Sequence, residues 1–176
     1  MQQSRIQKVS HRFSGLCTTL IVVLPVMVIA YWMAMPAEGV AGHWACNPDA
    51  IVILSWTKRF VGLVATAVGL VPLGFCLVAL RRLFRLYAKG TIFAADNVAA
   101  FNAIGRTLFC FGIVQLIAPT VMALLLTLDN PVGHRLIVVG LESGAMESLI
   151  LGGIIRLIGW VMDEARQIAD EQAQTV

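Results

Sequence analysis

Four long runs of apolar residues constrain this chain more than any other feature of its sequence. They lie at about 15–35, 60–80, 104–128 and 143–162, and each is close to the ~20 residues with which a helix crosses ~30 Å of hydrocarbon. Only 13% of the 176 residues are charged, and nearly all of those lie between the runs. We therefore predict an all-α membrane protein, with one domain over residues 1–176 in which four transmembrane helices form a bundle.

The distribution of lysine and arginine predicts how the helices are oriented. Ten of the 13 flank the side of the runs that holds both chain termini, whereas Lys58, Arg59 and Arg135 lie on the opposite side. Basic residues near the ends of membrane helices favour the cytoplasmic side. We therefore predict a multi-pass protein with both termini in the cytoplasm.

Helical patterns continue beyond the apolar runs on the cytoplasmic side, over about 81–103 and 163–176. They predict that the second, third and fourth membrane helices extend into the cytoplasm as a stalk, interrupted at Gly90 and resumed near Ala94 or Ala95. The charged stripes of the second and fourth helices could pair with each other, or the arginines could contact anionic lipid headgroups. The interaction or stalk candidates are Arg81, Arg85, Lys89, Asp96, Asn97, Asp163, Glu164, Asp170 and Glu171.

The two outer connections contain short runs with high strand propensity. Residues 50–54 and 135–141 are rich in isoleucine, valine and leucine, so they could pair as a small sheet over the outer face. The same connections hold His43, Cys46 and His134, which are weak candidates for metal ligands because histidine and cysteine are the ligands that zinc prefers. The competing interpretation is that they are ordinary loop residues, and that Cys46 is a free thiol.

Glu147 is the ionisable residue at the start of the fourth run that could carry a transport function. A carboxylate inside a membrane helix is a functional candidate by default, but a carboxylate in the first turn of a helix is also favoured by the helix dipole. Gln115 is the only other strongly polar residue deep within a run. The sequence leaves both interpretations of Glu147 open.

Two motifs in the stalk resemble those of a known family. Residues 90–98 read Gly-Thr-Ile-Phe-Ala-Ala-Asp-Asn-Val, similar to G-x-x-F-[ST]-x-[DE]-N followed by an apolar residue, and residues 161–176 resemble a closing helix with a D-E-[NQ] element. With four spans, these motifs resemble the bacterial membrane family catalogued as domain of unknown function 2975. The resemblance implies a bacterial inner-membrane location and a soluble cytoplasmic partner such as a small helix-turn-helix regulator.

The inventory of reactive residues argues against an enzyme. The chain contains no G-x-S-x-G, H-E-x-x-H or P-loop motif, and its three histidines lie outside the runs, where they could not ligate a membrane haem. We expect no catalytic residues, no cofactor and no direct binding of nucleic acid. We predict a membrane-anchored interaction or regulatory module in contact with membrane lipids, which could also self-associate; the alternative is a small oligomeric transporter or channel that uses Glu147.

Overall fold

The computed structural model of the chain describes residues 2–44, 52–90, 94–131, 135–140 and 143–174. Within these ranges the structure contains five helices and no strand: α1 (Gln2–Ala34), α2 (Ala37–Trp44), α3 (Trp56–Ala88), α4 (Ala95–Thr127) and α5 (Ser143–Gln174). All except α2 are long and apolar enough to cross a membrane. The prediction of an all-α protein with four candidate membrane spans is therefore confirmed.

The four long helices have nearly the same length. Each contains 32 or 33 residues, which corresponds to about 50 Å at ~1.5 Å per residue. This length exceeds the ~30 Å of hydrocarbon that a helix must cross. The helix α1 is as long as the others, whereas the sequence led us to expect an extension only for the second, third and fourth membrane helices.

Local chemistry determines where the central helices begin and end. The Ser55 hydroxyl caps α3 by accepting a hydrogen bond from the backbone N–H of Lys58 at 3.3 Å. The same helix ends at Ala88, and Gly90 follows with a φ of 81°, a left-handed conformation that glycine adopts without strain. The next helix begins at Ala95 without a side-chain cap, because Ala94 lacks a hydroxyl. Both predicted boundaries are confirmed.

The long helices lie side by side in a row. In the described residues the backbone of α1 lies beside that of α3, α3 lies beside α4 and α4 lies beside α5, whereas the backbone of α1 approaches neither α4 nor α5 and that of α3 does not approach α5. Consecutive long helices are antiparallel, so both chain termini lie at one end, the terminal end. The opposite end, the α2 end, holds α2 and the start of α3. The arrangement is an open row, in which α1 and α5 do not close a bundle.

Glycines allow α4 and α5 to approach closely. A Cβ built on Gly105 would lie 2.8 Å from the backbone nitrogen of Arg156, and one built on Gly152 would lie 2.7 Å from that of Phe109. Gly112 and Gly159 make similar close approaches. Small residues of this kind let membrane helices pack backbone to backbone.

The residues between α4 and α5 are bonded to α4 itself. The Thr120 hydroxyl donates to the carbonyl of Val138 at 2.5 Å, and the backbone N–H of Leu136 donates to the Thr127 hydroxyl at 3.1 Å. Residues 52–55 and 135–140 contain no strand, and Val52 is buried in the core beside Trp32 instead. In the described residues the predicted sheet is therefore absent, because threonines of α4 take the backbone groups that a strand partner would need.

Candidate functional site

A cavity of about 440 Å³ lies between α1, α3 and α4 toward the α2 end. The helix α3 packs on both α1 and α4, but the backbones of α1 and α4 do not approach each other, so a space remains between them over α3. The lining residues are Leu24, Met27, Val28 and Tyr31 of α1, His43 and Trp44 of α2, Ala65, Thr66, Gly69 and Leu70 of α3, and Val114, Gln115, Ala118, Val121 and Met122 of α4. No aspartate, glutamate, lysine or arginine is among them.

The short helix α2 covers one end of this cavity. Val40 and Ala41 are buried and attach α2 to a cluster that contains Trp32, Met122 and Leu126. The sequence analysis missed α2, although Pro36 before the helix and Glu38 in its first turn are typical of a helix start. Gly39 and Gly42 argue against a helix by propensity, and the burial of Val40 and Ala41 outweighs them.

Aromatic rings surround the covered end of the cavity. The ring centroids of Tyr31 and His43 are 6.1 Å apart, and those of His43 and Trp44 are 4.8 Å apart, both edge to face. Trp32 is fully buried against Gly62, and its indole N–H donates to the Thr66 hydroxyl at 3.1 Å. The cavity therefore has an aromatic end under α2 and an aliphatic body along the membrane helices.

Three polar groups at the cavity have no hydrogen-bond partner among the described residues. The Tyr31 hydroxyl and the Trp44 indole N–H are buried and face each other without forming a hydrogen bond of normal geometry. The Gln115 side chain lines the same cavity, and no hydrogen bond joins it to another described residue. Buried polar groups are nearly always paired, so the buried groups of Tyr31 and Trp44 are unusual.

Two adjacent cations at the start of α3 fix the helices that border the cavity. The Arg59 guanidinium donates to the carbonyls of Trp32 at 2.5 Å and Met35 at 3.1 Å, which lie at the end of α1. The Lys58 ammonium donates to the Leu126 carbonyl at 2.8 Å and pairs with Asp129 at 3.4 Å, at the end of α4. Cations stabilise the C-terminal ends of helices. Sequence reasoning counted these residues only as evidence for orientation.

Of the three predicted metal ligands, His43 alone lies within the described residues. His43 is exposed at the end of α2, while Cys46 and His134 lie outside the described residues. Among the residues that the structure describes, no group of three histidine, cysteine, aspartate or glutamate side chains could hold a metal ion. The candidate site at the α2 end is therefore the cavity, which no acidic residue, lysine or arginine lines.

Glu147 lies away from the cavity. It is the fifth residue of α5 and is exposed, and α5 contributes no residue to the cavity lining. No hydrogen bond or ion pair joins its carboxylate to another residue within the described ranges. Its position gives no support to a pathway that would connect Glu147 with Gln115.

At the terminal end, the structure places the predicted basic stripe beside α1. Arg85 and Lys89 line a cleft with His11 and Arg12 of α1, while Arg81 is half-buried on α3. A helix, α4, separates α3 from α5. The structure thus places Arg85 and Lys89 beside α1. It does not place them beside the acidic stripe of α5, with which pairing was one of the two interpretations in the sequence analysis.

The ion pair that does join two helices at this end involves Arg82 and Asp96. The Arg82 guanidinium lies 2.7 Å from the Asp96 carboxylate and links α3 to the first turn of α4. Both side chains are more than half exposed, so the pair contributes at most ~1 kcal/mol. Asn97, the next residue, is fully buried. Sequence reasoning identified Asp96 and Asn97 but did not select Arg82.

The last turns of α5 extend beyond its neighbour. Gly159 lies beside Asn102 of α4, so the start of α4 at Ala95 is level with about residue 166 of the antiparallel α5. The helix continues to Gln174, about 12 Å farther at ~1.5 Å per residue. Glu164, Ile168 and Glu171 are exposed along one stripe of this segment. Asp163 pairs with Arg166 in the same helix at 4.0 Å. The side chain of Asp170 is not among those that the structure describes.

A second basic surface lies where α4 and α5 meet. Arg156 of α5 and Asn102 of α4 line two adjacent clefts; Arg106 lines one of these, and Trp160 and Asp163 line the other. No ion pair reaches Arg106 or Arg156 from another described residue. The terminal end therefore carries basic clefts on both sides of the row of helices.

Comparison with known proteins identifies the family of this chain. A comparison with curated proteins and one with solved structures each give no match. The family described as "Protein of unknown function (DUF2975)" matches residues 15–176, which include all four apolar runs and both motifs. The chain therefore belongs to the DUF2975 family.

Proposed function

We propose that this protein is a membrane-anchored regulatory module that holds a soluble partner at the cytoplasmic face of the bacterial inner membrane. The observation that carries the proposal is the end of α5, where Ile168 and Glu171 are exposed beyond the level at which α4 begins and Glu164 is exposed on the same stripe at about that level. An exposed stripe of this kind on a protruding helix is suited to contact with a second protein.

Charge supports the assignment of the terminal end to the cytoplasm. Ten of the 13 lysines and arginines belong to this end, and five of them line its clefts. Such clefts suit the anionic lipid headgroups of the cytoplasmic leaflet. The three basic residues of the other end donate to backbone carbonyls in or just after the last turn of a helix: Lys58 to Leu126, Arg59 to Trp32 and Arg135 to Asn130.

Charge also indicates what kind of partner would fit. From residue 163 onward the chain contains Asp163, Glu164, Asp170 and Glu171 but only one basic residue, Arg166. Complementary charge speeds association and selects partners, so we infer a partner with a basic contact surface. A small helix-turn-helix regulator would meet this condition, because proteins that bind nucleic acid carry basic patches.

Photocrosslinking in cells tests the proposal. A benzoylphenylalanine at Ile168 is compared with one at Ile154, which is equally exposed at 49% but lies within the apolar run at about 143–162. We expect Ile168, and not Ile154, to give a discrete adduct with a soluble basic protein. The adduct should disappear when Glu164 and Glu171 are both changed to lysine, whereas Glu38→Lys on α2 should leave it unchanged.

Three results would contradict the proposal. They are adducts with lipid alone, adducts only with a second copy of this chain, and a protein adduct that is insensitive to the charge reversal. The transporter alternative has a separate test, because Glu147→Gln would abolish a proton-coupled or ion-coupled phenotype. We expect Glu147→Gln to leave both the adduct and the expression level unchanged, since Glu147 is exposed far from the end of α5.

A further inference from the structure

The uncharged cavity under α2 combines an apolar body with polar groups that have no partner. The Tyr31 hydroxyl and Trp44 indole N–H are buried at its covered end without a hydrogen bond. The Gln115 amide lines the cavity on α4. A polar group held in apolar surroundings without a hydrogen bond is costly. A chain that places two such groups, those of Tyr31 and Trp44, at one end of a cavity is arranged for a molecule that bonds to them.

The polar groups lie at different depths. Counted from the ends of α1 and α4, Tyr31 is three residues from Ala34 and Gln115 is 12 residues from Thr127. Those helix ends are held at the same level by Arg59 and Lys58. The nine-residue difference corresponds to about 13 Å at ~1.5 Å per residue. The wall between the two depths is aliphatic and includes Leu24, Val28 and Val121.

We propose that this cavity is a binding site for a neutral amphiphile of small-molecule size. Its carbonyl or hydroxyl oxygen would accept hydrogen bonds from Tyr31 and Trp44, and its apolar body would extend toward Gln115. The volume of about 440 Å³ falls within the ~300–1,000 Å³ of small-molecule sites. This proposal does not depend on the regulatory role proposed above.

The lining explains why the ligand is neutral. No acidic residue, lysine or arginine lines the cavity, and a buried charge without a counter-charge is strongly disfavoured. Lys58 and Arg59, the nearest cations in sequence, are bonded to the carbonyls of Leu126 and Trp32. A lipid phosphate or a fatty-acid carboxylate therefore has no lysine or arginine partner here and meets only the ring of His43, whereas an alcohol or a ketone has the two donors of Tyr31 and Trp44.

The route of entry follows from the helix arrangement. The backbones of α1 and α4 border the cavity without approaching each other, so the space between them along its aliphatic body is the lateral opening. At the α2 end, Trp32, Met122 and Leu126 belong to one buried cluster. A molecule dissolved in the bilayer would enter from the side. The helix α2 closes the cavity toward the aqueous side, and its Trp44 contacts the ligand directly.

The test uses a ten-carbon primary alcohol that carries a diazirine as the probe, with the purified full chain in mild detergent. After illumination, we expect saturable adducts on cavity-lining residues such as Val28 and Val121, which an excess of unlabelled decanol prevents. The double variant Tyr31→Phe and Trp44→Phe keeps both rings and removes both donors. We expect it to bind the alcohol at least about fivefold more weakly, the change typical of one lost hydrogen bond.

Controls keep the proposal falsifiable. Trp160→Phe changes an exposed tryptophan on α5, which does not line the cavity, and should leave labelling unchanged. A thermal melt of each variant shows whether it is folded, and Gln115→Leu provides an independent variant on another helix. The proposal is overturned if the alcohol labels only outward residues such as Val22, if decanoate competes as well as decanol, or if folded variants bind the probe as wild type does.

Discussion

Two adjacent glycines of α5 are expected to respond in opposite ways to the same substitution. Gly152 faces α4, and a Cβ there would lie 2.7 Å from the backbone nitrogen of Phe109 and 3.0 Å from the carbonyl of Gly105. Gly153 points away from α4, and a Cβ there would meet nothing within 4 Å. Alanine at either position improves helix propensity by about 0.5–1 kcal/mol. The two variants therefore differ only in the packing against α4.

The size of the difference follows from these contacts. The Gly153→Ala variant should gain the ~0.5–1 kcal/mol of propensity. The Gly152→Ala variant gains the same amount, but its methyl group meets main-chain atoms, so the two helices must move apart. Overpacking of this kind costs about 1–3 kcal/mol, and we expect a net loss of about 1–2 kcal/mol.

Thermal unfolding in mild detergent, followed by tryptophan fluorescence, measures both variants. At about 2–4 °C per kcal/mol for a chain of this size, Gly153→Ala should melt slightly above wild type and Gly152→Ala should melt several degrees below it. Equal shifts of the same sign would refute the close contact between α4 and α5. A larger side chain such as leucine at position 152 should lower the melting temperature further.

Three other predictions concern the α2 end. Replacement of Arg59 by methionine should lower stability by about 1.5–3 kcal/mol, because two carbonyls at the end of α1 lose a charged donor. In the same melting assay, the control Arg106→Met should change stability by less than about 0.5 kcal/mol. Equal losses in the two variants would contradict the role of Arg59 as a cap on the end of α1. Reporter domains that are active only outside the cytoplasm should be active when fused after Ala41 and inactive after Lys89, and the reverse pattern would refute the orientation. An impermeant maleimide should label Cys46 in cells whose outer barrier is opened, whereas protection that a chelator removes would support a metal site.

The helices and their central boundaries could be predicted because the deciding forces act locally. An apolar run of about 20 residues has few stable alternatives to a membrane helix. The end of α3 and the start of α4 depend on Gly90 and Ala94 and on their immediate neighbours. These features need no knowledge of which helices pack together.

The cavity and the bonds of Arg59 and Lys58 to the ends of α1 and α4 could not be predicted, because they depend on residues that are distant in sequence. Tyr31, Trp44 and Gln115 come from three helices, and only Gln115 stands out in sequence as a polar residue within an apolar run. Arg59 bonds to a carbonyl 27 residues earlier, and Lys58 to one 68 residues later. The helix α2 exists because Val40 and Ala41 are buried against Met122 and Leu126, which local propensity does not report.

The order of the helices in the row has a consequence for biogenesis. Each long helix packs on the long helix that precedes it in the chain, so docking can follow the order of synthesis as segments leave the insertion machinery. Arg59 can engage the end of α1 as soon as α3 inserts, and Lys58 then receives the end of α4. A chain truncated after Thr127 would retain the pairings of α1 with α3 and of α3 with α4. Such a fragment should insert and resist proteolysis, whereas a chain that lacks α1 should leave Arg59 without carbonyl partners and be degraded.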